Sequence, residues 1–206
     1  TESSSGPLFS ADRKVLWELK ADSDEDLGHI HGRPSIARLN DGKWYAVVGN
    51  GYRSARGHAV LYLIALGTGE VIKIGTDEGG SNGLSSPTLV DSDADGKVDI
   101  IYAGDLKGTM WSFALSGDNS SGSLTSAKPT ALYRTSEAIT AAPDVAAHPS
   151  GGHMIYFATG RLLGLSDVSD ASAGNAIYGI WDDRVRADGK GLRQVSFSRD
   201  ISIGQT

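Results

Sequence analysis

The 206-residue sequence contains no cysteine. Disulfides and thiolate metal sites are thereby excluded, while the compartment stays open, because cysteine-free secreted and cytosolic proteins pass the same test. Proline is scarce, with 6 residues, and follows no collagen-like period. No apolar run approaches the ~18 residues of a membrane-spanning helix, so no membrane span is expected. Positive charge is in deficit, with 19 Lys and Arg against 25 Asp and Glu for a net charge of −6. Without a basic cluster, a nucleic-acid partner is not expected. The chain also lacks a Gly-x-Ser-x-Gly elbow, a phosphate-binding P-loop and a His-Glu-x-x-His pair, so no catalytic residue and no organic-cofactor residue is assigned. A non-enzymatic protein is expected.

Glycine, by contrast, is abundant: 27 residues, nearly double the usual share of roughly 7%. Many glycines between short apolar runs predict an all-β protein rich in tight turns. No secretory signal is visible. Residues 1–13 are polar, and Thr1-Glu2-Ser3-Ser4-Ser5-Gly6 reads as a linker or cut point. Residues 14–206 read as one domain. Its first run, Lys14 to Lys20, alternates Val15, Trp17 and Leu19 with Leu16 and charged residues, a half-buried strand pattern.

An internal repeat then sets the architecture. Pro34, Pro87 and Pro143 stand 53 and 56 residues apart, in Arg33-Pro34-Ser35-Ile36-Ala37, Ser86-Pro87-Thr88-Leu89-Val90 and Ala142-Pro143-Asp144-Val145-Ala146. Each phrase leads to a second apolar run that ends in glycine, at Gly49, Gly104 and Gly160. Third runs carry aromatics at Tyr62, Trp111 and Tyr178, and weaker fourth runs cover Val71–Ile74, Ala131–Arg134 and Leu192–Phe197. Four short strands per unit of about fifty residues is the signature of β-propeller blades. The expectation is therefore about three four-stranded blades plus one stray strand, Lys14 to Lys20, as the outer strand of a preceding blade. A propeller ring usually needs 4 to 8 blades, so the ring is incomplete. A piece of a longer protein is expected, with little stability alone and the missing blades supplied by further sequence or other chains.

One unit carries an acidic loop, Asp91-Ser92-Asp93-Ala94-Asp95-Gly96-Lys97-Val98-Asp99. Carboxylates at positions 1, 3, 5 and 9, a glycine at 6 and a backbone carbonyl at 7 follow the ligand order of a calcium loop. The expected ligands are Asp91, Asp93, Asp95, the Lys97 carbonyl and Asp99. Position 12, a bidentate Glu in the helical calcium hand, is Tyr102, which leaves Asp99 as the candidate bidentate ligand. The flanks, Pro87 to Val90 and Ile100 to Gly104, read as strands, so the loop is expected to clip a hairpin. An acidic solvated turn is the alternative, opposed by the mutual repulsion of four carboxylates. Asn40-Asp41-Gly42 and Ser150-Gly151-Gly152 stand in its place in the neighbouring units.

Other groups carry less. His29 and His31 would share a strand face, but no third ligand accompanies them. Asp22 to Asp26 and Asp182-Asp183 read as solvated loops. Gly49-Asn50-Gly51 reads as a tight turn, and Trp17, Trp44, Trp111 and Trp181 as packing between sheets.

In their order, several phrases make the chain resemble the C-terminal β-propeller of the type IV pilus biogenesis and tip-adhesin family, the PilC/PilY group. They are Arg33 to Trp44, Val48 to Tyr52, Gly83 to Asp91, the acidic loop, Tyr102 to Leu106, Pro143 with His148-Pro149, and Ala176 to Asp182. The resemblance implies a modified quinoprotein-like propeller with Ca2+ held by Asp91, Asp93, Asp95, Lys97 and Asp99. It implies roles in pilus extension and retraction, twitching motility and surface attachment. It also implies a location at the cell surface or outer membrane after passage through the periplasm. Pilus subunits or minor pilins, and a host-surface receptor, are the implied partners. The Arg-Gly-Asp tripeptide reported in some members is absent. A quinoprotein dehydrogenase fragment is the alternative, though it needs a complete ring around a quinone. An integrin-α-like propeller would repeat the acidic loop in consecutive blades, and here only one unit has it.

Overall fold

In the computed structural model, the residues described are 15–76, 79–118, 122–126, 128–168, 174–183 and 196–197. Three antiparallel sheets follow one another along the chain. The first contains β1 (Ser35–Arg38), β2 (Trp44–Gly49), β3 (Val60–Ala65) and β4 (Val71–Gly75), in that order. The second contains β5 (Thr88–Val90), β6 (Ile100–Gly104), β7 (Thr109–Asp118) and β8 (Ser123–Ser126), with β9 (Thr130–Arg134) also paired to β7. The third contains β10 (Asp144–Ala147), β11 (His153–Ala158), β12 (Ile177–Asp182) and β13 (Ser196–Phe197). A single helical turn, α1 (Leu165–Val168), precedes β12. The three repeat units thus form three sheets, and each strand run of the repeat is a strand; of the last fourth run, residues 192–195 lie outside the described set.

The second and third runs of the first two units are apolar on both faces because their strands are covered on both faces, whereas in the third sheet β11 buries Ile155 and Phe157 and leaves Tyr156 exposed. Val47, Leu61 and Leu63 from the first sheet share one buried cluster with Ile101, Trp111 and Phe113 from the second. Alternate residues of the second sheet, Ile100, Tyr102 and Met110, join Ile155, Phe157 and Ile180 of the third. The remaining face of the first sheet buries Ala46, Val48, Val60, Tyr62 and Ile64.

That last face corrects one expectation. The run from Val15 to Lys20 lies along it but forms no strand ladder. Trp17 and Leu19 pack on the cluster, and the Trp17 indole donates to the Leu66 carbonyl at 2.9 Å. Val15 and Leu16 stay exposed. The alternation held for Trp17 and Leu19 but not for Val15, and among the described residues no neighbouring strand offers this segment backbone partners. Trp44 departs from the reading in another way: it begins β2 at the rim of the same face and is 56% exposed.

The glycine that ends each second run has a local cause in the first two units. The segment entering the next unit crosses the strand end there. A Cβ on Gly49 would stand 2.1 Å from the Ser85 carbonyl oxygen, and one on Gly104 would stand 2.2 Å from Ile139 Cγ2. The residue after each glycine is a buried polar hub. Asn50 donates to the Asp26 and His58 carbonyls at 2.7 and 2.8 Å and accepts from the Val60 and Leu84 amides at 3.0 and 2.9 Å. Asp105 accepts from Asn82, the Lys107 and Thr109 amides, and the Trp111 indole, at 2.8 to 3.0 Å. Among the described residues no buried side-chain nitrogen or oxygen lacks a partner, as a well-specified interior requires.

Because the atom facing Gly49 is backbone, it cannot swing away. Gly49→Ala is expected to destabilise the fold by about 2 kcal/mol or more, read as a lowered midpoint in thermal or urea unfolding. An unchanged midpoint would contradict the close crossing.

Candidate metal-binding loop between two strands

The acidic loop connects β5 to β6, whose residues Val90 and Ile100 are paired. It is therefore a hairpin turn in the middle sheet, as its flanks predicted. Both ends are fixed by backbone bonds. The Asp99 amide donates to the Val90 carbonyl at 3.0 Å, and the Val98 amide to the Arg38 carbonyl at 2.9 Å. The latter belongs to a parallel bridge between Leu39 and Val98, so the loop is stitched to the first sheet. Inside it, Ala94 and Gly96 take positive φ, at 62° and 83°. Glycine adopts this conformation without a Cβ penalty, which explains position 6.

The structure brings three of the four carboxylates together. One oxygen each from Asp91, Asp93 and Asp99 lies within 4.8 Å of the others. Ca2+ binds oxygens at about 2.3–2.6 Å, so ligands on opposite sides of one ion stand up to roughly 5 Å apart, and the three oxygens fit a shared cation. No other group of this kind occurs among the described residues. His29 and His31 do not join one; the His31 ring stacks on Tyr52 at 5.8 Å.

Asp95 is not in the convergent group. Its carboxylate takes the Lys97 ammonium at 2.5 Å and the Lys97 amide at 2.8 Å. The hydrogen bond from the Lys97 side chain, reinforced by the backbone bond and the charge, holds the Asp95 carboxyl below its ordinary pKa. Backbone amides also point into the cluster. Asp91 accepts from the Asp95 and Gly96 amides at 3.2 and 2.8 Å, and Asp93 from the Asp95 amide at 3.1 Å. The repulsion expected of four carboxylates is thus partly offset by these donors and by Lys97.

Two residues at the site were not legible as such. Ser92 donates to Asp99 Oδ2 through both its amide and its hydroxyl at 2.8 Å. Asn40, 59 residues away, donates to Asp99 Oδ1 at 3.1 Å. The repeat offered one clue to Asn40, which stands in the corresponding turn of the preceding unit.

The other acidic stretches are not solvated loops. Asp24 and Asp26 grip Lys73 at 2.5 and 3.0 Å, and Asp24 accepts from the Tyr62 hydroxyl at 3.0 Å. Burial alone would raise the Asp24 pKa, but hydrogen bonds from Lys73, the Asp26 amide and Tyr62 bring it below normal. These groups fasten the 21–27 loop over the first sheet. Asp182 and Asp183 are buried. The buried Tyr102 hydroxyl donates to Asp182 Oδ2 at 3.0 Å and lies 3.2 Å from His153 Nδ1, joining the second and third sheets. Trp181 stacks on His148 at 4.3 Å.

Successive antiparallel sheets that stack face to face, one carrying an acidic hairpin loop, define a β-propeller domain with an open ring. The chain belongs to the PilY1 beta-propeller domain family, whose sequence model matches residues 5–200. It is similar to a type IV pilus biogenesis factor PilY1 homolog of Xylella fastidiosa strain Temecula1, with 36% identity over 199 residues, covering 85% of this chain and 14% of that protein. It is similar also to type IV pilus biogenesis factor PilY1 of Pseudomonas aeruginosa strain PAO1, with 36% identity over 208 residues, covering 88% and 18%. The crystal structure of the P. aeruginosa PilY1 C-terminal domain superposes with a TM-score of 0.74 at 35% identity, covering 85% of this chain and 41% of that one. The chain thus spans less than a fifth of these curated relatives. Family membership displaces the quinoprotein dehydrogenase and integrin-α readings.

His153 supplies a pH test of the junction between the second and third sheets. Burial pushes its imidazole below the usual pKa, partly opposed by the Asp182 charge. The unfolded chain therefore takes up the proton first as pH falls through about 6.5. Stability is lost from there down to the folded pKa. The melting temperature is expected to fall between pH 7 and 5 more steeply than in His153→Gln; parallel curves would contradict this.

Proposed function

We propose that this chain is the calcium-binding propeller module of a type IV pilus biogenesis factor, acting as a structural and adhesive part rather than as a catalyst. The observation that carries the calcium reading is the convergence of the Asp91, Asp93 and Asp99 oxygens within 4.8 Å, in a hairpin pinned at both ends. Asp91, Asp93 and Asp99 would hold Ca2+ directly, with the Lys97 carbonyl as a further ligand; Asp95 would join only by releasing Lys97. Bound calcium supplies charge neutralisation and rigidity to the turn. With a short loop and no position-12 Glu, affinity belongs in the range of roughly 10⁻⁶ to 10⁻³ M.

The pilus reading rests on the relatives, named as type IV pilus biogenesis factors. It extends to a location at the cell surface or outer membrane and to pilus subunits, minor pilins or a host-surface receptor as partners. Pilus extension and retraction, twitching motility and attachment are the processes it would serve.

The test uses the complete reading frame that contains this chain. Calcium at 100 times its Kd should stabilise the protein by about 2.7 kcal/mol, seen as a rise in melting temperature that Asp93→Ala abolishes. No shift at millimolar calcium, or an equal shift in Asp93→Ala, would overturn calcium binding. In cells, Asp93→Ala should alter twitching motility; normal motility and attachment would separate the metal from pilus function.

A further inference from the structure

We propose that Asn40 is the positioning residue of the acidic loop, and that through it the loop's metal state reaches the first sheet and the β7–β8 hairpin. The proposal rests on the calcium reading above. Asn40 lies in the β1–β2 turn, in a different sheet from the loop. Its carboxamide nitrogen donates to Asp99 Oδ1 and to the Leu115 carbonyl, each at 3.1 Å. Both donors of one NH2 group are thus spent on two elements of the second sheet. Asp99 reaches the same hairpin by a second route, since its carbonyl accepts from the Leu115 amide at 2.7 Å. Asp99, Asn40 and Leu115 therefore form a closed circuit.

The choice of side chain fits this role. A lysine at position 40 would fix Asp99 by neutralising it. An amide N–H orients the carboxylate and leaves its full negative charge for a cation, as outer-shell partners of metal ligands do. The hairpin is built to sit on this turn. A Cβ on Gly117 would stand 2.7 Å from the Asn40 carbonyl carbon and the Asp41 amide nitrogen, so the two backbones meet without a side chain between them. The Lys43 ammonium donates to the Gly122 carbonyl at 3.1 Å, across the same junction. Fixing or freeing Asp99 thus changes the restraint on Asn40 and Leu115 together, and with them the seat of the hairpin on the first sheet.

The test measures calcium affinity by isothermal titration and amide hydrogen exchange, again in the complete reading frame. Asn40→Leu fills nearly the same space without a donor. It should weaken calcium binding about tenfold or more and abolish calcium-dependent slowing of exchange at Leu115 and at residues 123–126. Lys43→Ala disturbs the same turn without touching Asp99 and should leave affinity within about twofold. If Asn40→Leu does not fold, Asn40→Gln, which moves the carboxamide by one methylene, is read in the same way. Unchanged affinity and intact calcium-dependent protection of Leu115 would overturn the role of Asn40 alone. An equal loss of affinity in Lys43→Ala would do the same, since general loosening of the turn would then suffice. Absence of binding in the unaltered protein would overturn the calcium reading and Asn40's role with it.

Discussion

Burial on both faces is the constraint on which the structure depends. β2, β3, β6 and β7 are apolar on either side, and no single sheet can keep both sides from water. The sheets must therefore stack, and each stack supplies half of the next. Burying one large apolar side chain contributes roughly 1.5–3 kcal/mol, so clusters such as that around Leu61 and Phe113 outweigh any ion pair on the surface, where each contributes about 1 kcal/mol or less. The polar hubs at Asn50 and Asp105 do another task. They satisfy backbone groups where strand ends meet incoming segments, and so fix how neighbouring sheets are aligned.

The blade architecture was legible because propeller stacking leaves a repeating trace: a proline phrase, an apolar run ending in glycine, then an aromatic run. The repeat also located the acidic loop in a hairpin turn of the middle unit. What was not legible depends on contacts distant in sequence. Spacing counts Asp95 as a ligand equal to Asp93, and nothing in it shows that Lys97 folds back on Asp95. Composition marks Asp22 to Asp26 as polar, yet Lys73 and Tyr62 make that stretch a fastening. β8 lies outside the repeating runs, because it is an addition paired to the far end of β7, with Leu124 packed against the first cluster. Alternation in Val15 to Lys20 marks Trp17 and Leu19 as inward, though Val15 stays exposed, and a strand also needs a neighbour for its backbone.

The acidic loop is more than a free turn with charges on it. Its first half is organised locally, by amides donating to Asp91 and Asp93. Its second half belongs to the junction between sheets, through Val98, Asp99 and Asn40. A ligand bridging Asp91, Asp93 and Asp99 would span both halves. That is a physical route by which a small ion at an exposed site would bear on packing elsewhere in the domain.

The crossing at Gly49 has a consequence for how such a chain can be cut, copied or joined. Leu84, just ahead of the second unit's proline phrase, bonds to Asn50 and Gly51 of the first, so in space the first unit reaches up to that phrase and is closed by the residues directly before it. A cut placed ahead of Leu84 would strip the first unit of that closing segment, whereas a cut at the proline phrase Ser86-Pro87 leaves it in place. Duplications or deletions that keep the domain intact are those whose junctions fall on the far side of the crossing, so that each blade travels with the strand end and the segment that covers it.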